Sequence, residues 1–157
     1  MPSLKVVSIP QNGTAFLAAL LPLFKTHASI ADETIDDLLI KKLRKAALMV
    51  QEYADTAFIE TKLRLTAIGG RTGRIRLYMG GGDVESVTDL GGEAVAYQAV
   101  GSTAVQVGIT RPVVITYTTV PLEGEQERLT ETVLRCATAL YDGVATDELN
   151  RILNEAL

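Results

Sequence analysis

The side chains that could perform chemistry are few in this chain of 157 residues. His27 is the only histidine and Cys136 the only cysteine. Metal sites built from several of either residue are therefore excluded, and any nucleophile has a single imidazole to serve as its base. Cys136 falls on the apolar stripe of a predicted helix, which favours a small buried residue over a nucleophile. His27 falls in a polar junction between helices, which favours a solvated or capping role.

Glycine-rich loops and paired carboxylates are the remaining candidates for a reactive site. The loop 69–73 (GGRTG) lacks the lysine of a phosphate-binding P-loop, and the dinucleotide fingerprint GxGxxG does not occur. The pairs Asp36/Asp37 and Glu123/Glu125 are neighbours at an exposed helix start or loop, so they do not share a cleft. We therefore predict tight turns at the glycines, no catalytic, cofactor or metal site, and no enzymatic activity.

Composition narrows the class of protein. Apolar residues make up 47%, aromatic residues only 5%, and mean hydropathy is +0.20. We expect one domain over residues 1–157, with the aliphatic excess in its core or in a subunit interface. A net charge of −4 argues against gripping duplex DNA, because that affinity comes mainly from phosphate neutralisation. No apolar stretch is long enough to cross a bilayer, so we expect no membrane association.

The N-terminal apolar segment Ala15–Phe24 has two interpretations. Lys5 precedes it and small residues follow it, so residues 1–28 loosely resemble a secretory signal peptide. Its apolar stretch begins late and is interrupted by Pro22, however, which favours a short helix over residues 14–27 with a kink or restart at that proline.

A long amphipathic helix is predicted over residues 32–58. Its apolar residues are spaced 4, 3, 4, 3 and 4 from Leu39 to Ala57. The 26 residues from Asp32 to Ala57 would span about 39 Å, which suggests an unusually long strut in a larger assembly. Ser29 and Asp32 are candidate N-caps. An acidic cluster at the helix start precedes a basic cluster one turn later: Asp32, Glu33, Asp36 and Asp37, then Lys41, Lys42, Arg44 and Lys45. The two clusters form either a solvated face or a head-to-tail interface that closes a ring of identical subunits.

Residues 59–120 read as a small antiparallel β insert. Strand patterns are separated by glycines, and the loop 69–73 predicts a hairpin between the first two strands. The predicted strands are Ile59–Ala67, Arg74–Met79, Val84–Leu90, Ala94–Ala99, Ala104–Ile109 and Pro112–Val120.

Two helices are predicted to close the chain, over residues 127–142 and 146–157, with Gly143 as the stop between them. The last helix has an apolar stripe at i, i+3, i+4, i+7 and i+8: Leu149, Ile152, Leu153, Ala156 and Leu157. So short a helix must dock to persist. It either folds back on its own subunit or contacts a neighbour or a portal protein.

The predicted class is therefore α+β, a mainly helical body with a long amphipathic helix and a small antiparallel β insert. The order of elements and several short sequence segments resemble the head–tail connector (adaptor) family of tailed bacteriophages, similar to the connector of lambda-like long-tailed phages. The matching segments are residues 29–37 (SIADETIDD), 46–65 (AALMVQEYADTAFIETKLRL), 75–77, 84–88, and 113–119 (VVITYTT) before 129–141.

The resemblance implies a structural virion protein. Such proteins form a ring of about twelve copies in the neck between head and tail, assembled in the host cytoplasm. The ring binds the portal protein and a tail or tail-completion protein, lets DNA pass without specific binding, and holds no cofactor. Two alternatives stay open: a small homo-oligomeric ligand-binding or regulatory α+β domain, and a secreted protein if residues 1–28 are a signal peptide.

Overall fold

The computed structural model describes residues 2–157, which form four helices and seven strands. In chain order these are β1 (Ser3–Ser8), α1 (Gln11–Ala28), α2 (Asp36–Ala54), β2 (Lys62–Ala67), β3 (Arg74–Arg76), β4 (Gly82–Asp89), β5 (Tyr97–Val100), β6 (Ala104–Val107), β7 (Val113–Thr119), α3 (Glu123–Asp142) and α4 (Thr146–Ala156). Helices and antiparallel sheets are both present, so the predicted α+β class is confirmed. Within the described residues, no helix combines the length and apolar character that a membrane crossing requires.

The strand unit comprises the residues up to Pro10 together with Glu60–Val120. It contains a four-stranded sheet in the order β1-β2-β7-β4 and a three-stranded sheet in the order β3-β6-β5, with antiparallel pairing throughout. Side chains alternate along β2 and β7, so one face of the four-stranded sheet is buried. That face and the three-stranded sheet share one core, built from Leu63, Leu65, Ile75, Leu77, Val87, Val105, Val107, Ile115 and Tyr117.

The helical unit comprises Gln11–Ile59 and Pro121–Leu157. Helix α3 packs against each of the other three helices, and α1 also packs against α2. Buried aliphatic side chains at helical spacing form its core, and Phe16 meets Phe58 edge to face at 5.4 Å between ring centroids. The fully buried Gln51 accepts hydrogen bonds from the backbone N–H groups of Phe58 (3.2 Å) and Ile59 (3.4 Å), which fixes the chain leaving α2.

Helix α2 is shorter than the sequence predicted. It has 19 residues instead of the 27 of residues 32–58, and its length is about 28 Å. Asp32 and Ser29 do not cap it: Ile35 holds the N-cap position, and the Asp32 carboxylate instead accepts bonds from the backbone and hydroxyl of Thr34. Asp55 ends the helix in the left-handed conformation, at φ 50°. The inference of an unusually long strut is therefore wrong.

Helix α1 runs through Pro22, so the predicted restart does not occur. A proline removes one helical bond, here the one to the carbonyl of Ala18. Because Ala18 and Pro22 both lie on the exposed side, water can satisfy that carbonyl. The N-terminal apolar stretch contributes Leu17, Leu20 and Phe24 to the helical core.

Three further predictions need correction. The sequence predicted no strand before α1, yet β1 pairs with β2 as an edge strand. The hairpin between the first two predicted strands does not form, because β2 and β3 belong to different sheets. Helix α3 begins at Glu123, four residues before the predicted 127. Its stop is as predicted: Gly143 is left-handed at φ 72°, and α4 follows from Thr146.

Candidate functional site

The basic cluster of α2 lies on the helix surface. Lys41, Arg44 and Lys45 are exposed and Lys42 is half-buried. Among the described residues none of these four side chains forms an ion pair. Lys41 and Lys45 repel each other at i,i+4 spacing. The cluster is therefore available to an acidic partner, and its role in a subunit interface stays a prediction.

The acidic cluster is only partly available, because two of its members have partners within the chain. Asp32 is engaged with Thr34, whose two hydrogen bonds lower the pKa of the Asp32 carboxyl. Asp36 lies 2.5 Å from the ammonium group of Lys25 on α1. Glu33 and Asp37 are exposed without such partners among the described residues. If the cluster contacts a neighbour, these two carboxylates are the ones that can pair.

The apolar stripe of α4 folds back on its own subunit, one of the two arrangements predicted. Leu149, Ile152 and Leu153 are buried, at 7%, 6% and 4% exposure, and α4 packs against α3. Tyr53 of α2 also donates a hydrogen bond to Asn154. Ala156 is half-buried and Leu157 is 39% exposed, so these last two residues are the part of the stripe that a portal or a neighbour could reach.

His27 connects two helices. Its Nδ1 lies 3.0 Å from the hydroxyl of Thr138 on α3, and its Nε2 lies 3.5 Å from a carboxylate oxygen of Glu131. It borders a groove of about 260 Å³ in the helical unit. The groove is lined by His27, Arg135, Thr138, Ala139, Asp142, Val144, Glu148, Arg151 and Ile152.

Both arginines of this groove are paired with glutamates of α4. Arg151 bonds Glu148 one turn before it and Glu155 one turn after it, which raises the pKa of Arg151 and lowers the pKa of Glu148. Arg135 also lies 3.7 Å from Glu155. These pairs hold the exposed face of α4 in a helix and stabilise it at pH values above the normal range of glutamate titration. Within residues 2–157, no group of three or more histidine, cysteine or carboxylate side chains could hold a metal ion.

The glycine loops are tight turns, as predicted. Gly73 has φ 72°, and a Cβ there would lie 2.1 Å from the carbonyl oxygen of Val107. Gly81, at φ 77°, would place a Cβ 1.9 Å from the carbonyl oxygen of Ser102. Both glycines are required because the loops pack on the protein's own backbone.

Cys136 is fully buried, as predicted, and burial raises the pKa of its thiol. We expect the folded protein to react with a thiol reagent at least about tenfold more slowly than the unfolded chain, because little thiolate forms and access is blocked. Timed alkylation followed by mass spectrometry measures this. Equal alkylation rates in the folded and unfolded states would contradict the burial of Cys136.

The raised pKa also predicts a pH dependence of stability. Since the thiol pKa is higher in the folded than in the unfolded state, the free energy of unfolding should fall as pH rises from the unfolded pKa towards the folded one.

The fold is similar to that of chains in three solved structures. A chain in the neck of an empty GTA particle computed with C6 symmetry is 17% identical at a TM-score of 0.64, with 98% of this chain and 94% of that chain covered. A chain in the neck of a native GTA particle computed with C12 symmetry is 16% identical at a TM-score of 0.61, with 98% of this chain and 94% of that chain covered. A chain in the virion of a native gene transfer agent (GTA) particle is 19% identical at a TM-score of 0.57, with 97% of this chain and 93% of that chain covered.

The TM-scores and coverages show a common fold over nearly the whole of each chain. No protein-family model and no curated protein matches the sequence.

Sequence reasoning missed two charged features. Lys5 lies on the unpredicted strand β1, directly opposite Arg64 of β2. Glu123, Glu127 and Glu131 are exposed along α3 at successive i,i+4 positions. The glutamate spacing was visible in the sequence, whereas the pairing of Lys5 with Arg64 depends on a strand register that the sequence does not reveal.

Proposed function

We propose that the chain is a structural component of the neck of a phage-like particle, in a ring that joins the portal of the head to the tail. The observation that carries this proposal is the fold shared with chains of GTA neck structures over 98% of this chain and 94% of theirs. A likeness that spans both chains almost completely supports a common architectural role better than a likeness confined to one part.

The proposed ring has about twelve copies. The neck computed with C12 symmetry supports this number, and a twelvefold ring is also compatible with the neck computed with C6 symmetry. Adjacent copies meet head to tail, with the basic cluster of α2 facing Glu33 and Asp37 of the next copy. A cyclic ring requires that each copy offers its basic cluster to one neighbour and these two carboxylates to the other.

The partners proposed for this ring are the portal protein on one side and a tail or tail-completion protein on the other. The ring would lie in the virion neck, after assembly in the host cytoplasm. DNA would pass through the ring without specific binding. An acidic chain suits this passage, because a net charge of −4 provides no general attraction for phosphates.

The direct test is a cryo-electron microscopy reconstruction of particles that contain this chain, with quantitative mass spectrometry of the same preparation. We expect a ring of about twelve copies between portal and tail. Density for the chain in the capsid shell, or its absence from purified particles, would contradict the proposal.

Charge reversal on α2 tests the proposed ring contact. Changing Lys41, Lys42 and Lys45 together to glutamate should weaken ring formation about tenfold or more at low ionic strength, because like charges would then face each other. The change to three arginines keeps the charge and is the matched control. Sedimentation velocity over a salt series measures the effect. A reversed triple variant that assembles as well as the parent at low salt would show that this cluster is not in the interface.

A further inference from the structure

The outer face of the four-stranded sheet has two cations placed directly opposite each other. Lys5 of β1 and Arg64 of β2 are register partners, so their side chains lie on the same face. Both are exposed, and neither forms an ion pair among the described residues. Like charges directly opposite in an antiparallel pair are destabilising. The isolated chain therefore bears an electrostatic cost that an acidic partner would remove.

The rest of this face carries one further unpaired charge among the described residues, the exposed Asp83 of β4, which lies opposite Thr118. Lys62 is already paired with Glu85 of β4 at 2.8 Å. Thr66, Thr116 and Thr118 are half-buried here, opposite the buried face of the same strands. Hydroxyl groups can donate to or accept from a partner's polar side chains. The two unpaired cations lie on β1 and β2, and β7 separates them from Asp83, so they form a distinct site for acidic side chains.

We propose that this face is the docking surface for helix α3 of a second copy of the chain, with Glu127 and Glu131 facing Lys5 and Arg64. This inference rests on the proposed function, since it adds a second contact between adjacent copies of the neck ring to the one proposed through α2. The sheet face and α3 are different surfaces of the same chain, so repetition of the contact gives a head-to-tail series that can close.

Charge complementarity identifies the second copy as the occupant. The strand unit contains seven Lys and Arg residues and five Asp and Glu residues, so its formal charge is +2. The helical unit contains eight Lys and Arg residues and fourteen Asp and Glu residues, so its formal charge is −6. Glu127 has no ion-pair partner among the described residues, and Glu131 contacts only the imidazole of His27, at 3.5 Å. These glutamates repel at i,i+4 spacing. The helix dipole favours acidic residues in the first turn of a helix. Both glutamates lie beyond the first turn of α3, so the dipole does not account for them. One contact between copies would relieve the repulsion on both surfaces.

An apolar hollow lies beside the two cations of the sheet face. The sheet face borders a hollow of about 370 Å³ lined by Pro2, Thr66, Ala67, Ile68, Leu90 and Pro112. Ile68 and Leu90 are 57% and 66% exposed there. Ile68 follows Arg64 by four residues, about 13 Å in extended conformation, so the hollow lies beside the two cations. An apolar side chain of the second copy can fill it.

Two charge-reversal variants and their mixture test this contact. The sheet variant has Lys5→Glu and Arg64→Glu, and the helix variant has Glu127→Lys and Glu131→Lys. At low ionic strength the parent should self-associate, and each variant alone should associate about tenfold or more weakly. An equimolar mixture should recover the parent's association, because each contact then joins one variant to the other. The two variants can alternate around a whole ring when its number of copies is even. Sedimentation velocity measures all four samples.

The control is Arg71→Glu with Arg74→Glu, which changes net charge equally at exposed arginines of the strand unit. It should associate like the parent. A parent that stays monomeric at low ionic strength, variants that associate normally, or a mixture that fails to recover would each overturn the inference. The reconstruction of particles decides the proposed function separately: a neck ring whose neighbours do not join α3 to the sheet face leaves that function standing and refutes this contact.

Discussion

Replacing Gly81 with alanine should destabilise the strand unit by about 2–5 kcal/mol, whereas the same change at the adjacent Gly80 should cost about 1–2 kcal/mol. Both glycines are left-handed, at φ 77° and 78°, so alanine bears the same backbone penalty of about 1–2 kcal/mol at either position. The two positions differ in the space around the added methyl group.

A methyl group on Gly81 would lie 1.9 Å from the carbonyl oxygen of Ser102 and 2.9 Å from the Cα of Thr103, while one on Gly80 would meet nothing within 4 Å. These are backbone atoms, so the whole segment must move. That segment also accepts the hydrogen bond from the N–H of Gly82 at 2.9 Å, which fixes the start of β4. Overpacking of this kind adds about 1–3 kcal/mol.

Urea unfolding of both variants and the parent, followed by a probe of the strand unit, measures the difference. Equal losses at Gly80 and Gly81 would show that the approach of Ser102 does not constrain this turn. A loss confined to Gly81 would show that close packing, rather than backbone conformation, requires glycine here.

Local patterns predicted the elements whose causes are local. Helix α4 and the stop at Gly143 follow from apolar periodicity and a residue that tolerates positive φ. The strand β7 follows from its β-prone run Val113–Thr119. The start of α2 was mispredicted because Asp32 can cap a helix or close a turn with Thr34, and both use the same side chain.

Sheet pairing could not be predicted, because partners in a sheet are distant in sequence. Strand β1 pairs with β2 across an intervening pair of helices, and the loop 69–73 passes between two sheets instead of closing a hairpin. The same limit applies to the candidate site. The clusters on α2 were visible as local runs, whereas the opposition of Lys5 and Arg64 exists only in the register of the folded sheet.

Removing α4 should unfold or severely destabilise the helical unit. Leu149, Ile152 and Leu153 are all buried in it, and burying each such side chain contributes about 1.5–3 kcal/mol. The sum approaches the total stability of a typical domain, about 5–15 kcal/mol. Deletion of Val144–Leu157 should therefore not leave the folded subunit that a purely intermolecular helix would allow. Circular dichroism and thermal unfolding of the truncated chain measure this, and a cooperative transition at the parent's temperature would contradict it.

Single substitutions separate the core role of α4 from a role in contact with a partner. Leu153→Ala should cost about 2–5 kcal/mol, because a leucine at 4% exposure leaves a cavity. Leu157→Ala should cost less than about 1 kcal/mol, because that side chain is 39% exposed. Chemical denaturation of the two variants provides the comparison. Similar costs would mean that Leu157 packs in the core as well.

The end of α4 is then the place to test the proposed portal or neighbour contact. Leu157→Asp should keep the stability of the parent within about 1 kcal/mol, because a side chain that is 39% exposed can point a carboxylate into water. If Leu157 docks in an apolar groove of a partner, the same carboxylate would be buried without a counter-charge, which is costly. The variant should then fold normally and fail to join heads to tails in a complementation assay scored by electron microscopy. A folded Leu157→Asp variant that still supports joined particles would place the partner contact on another surface of the subunit.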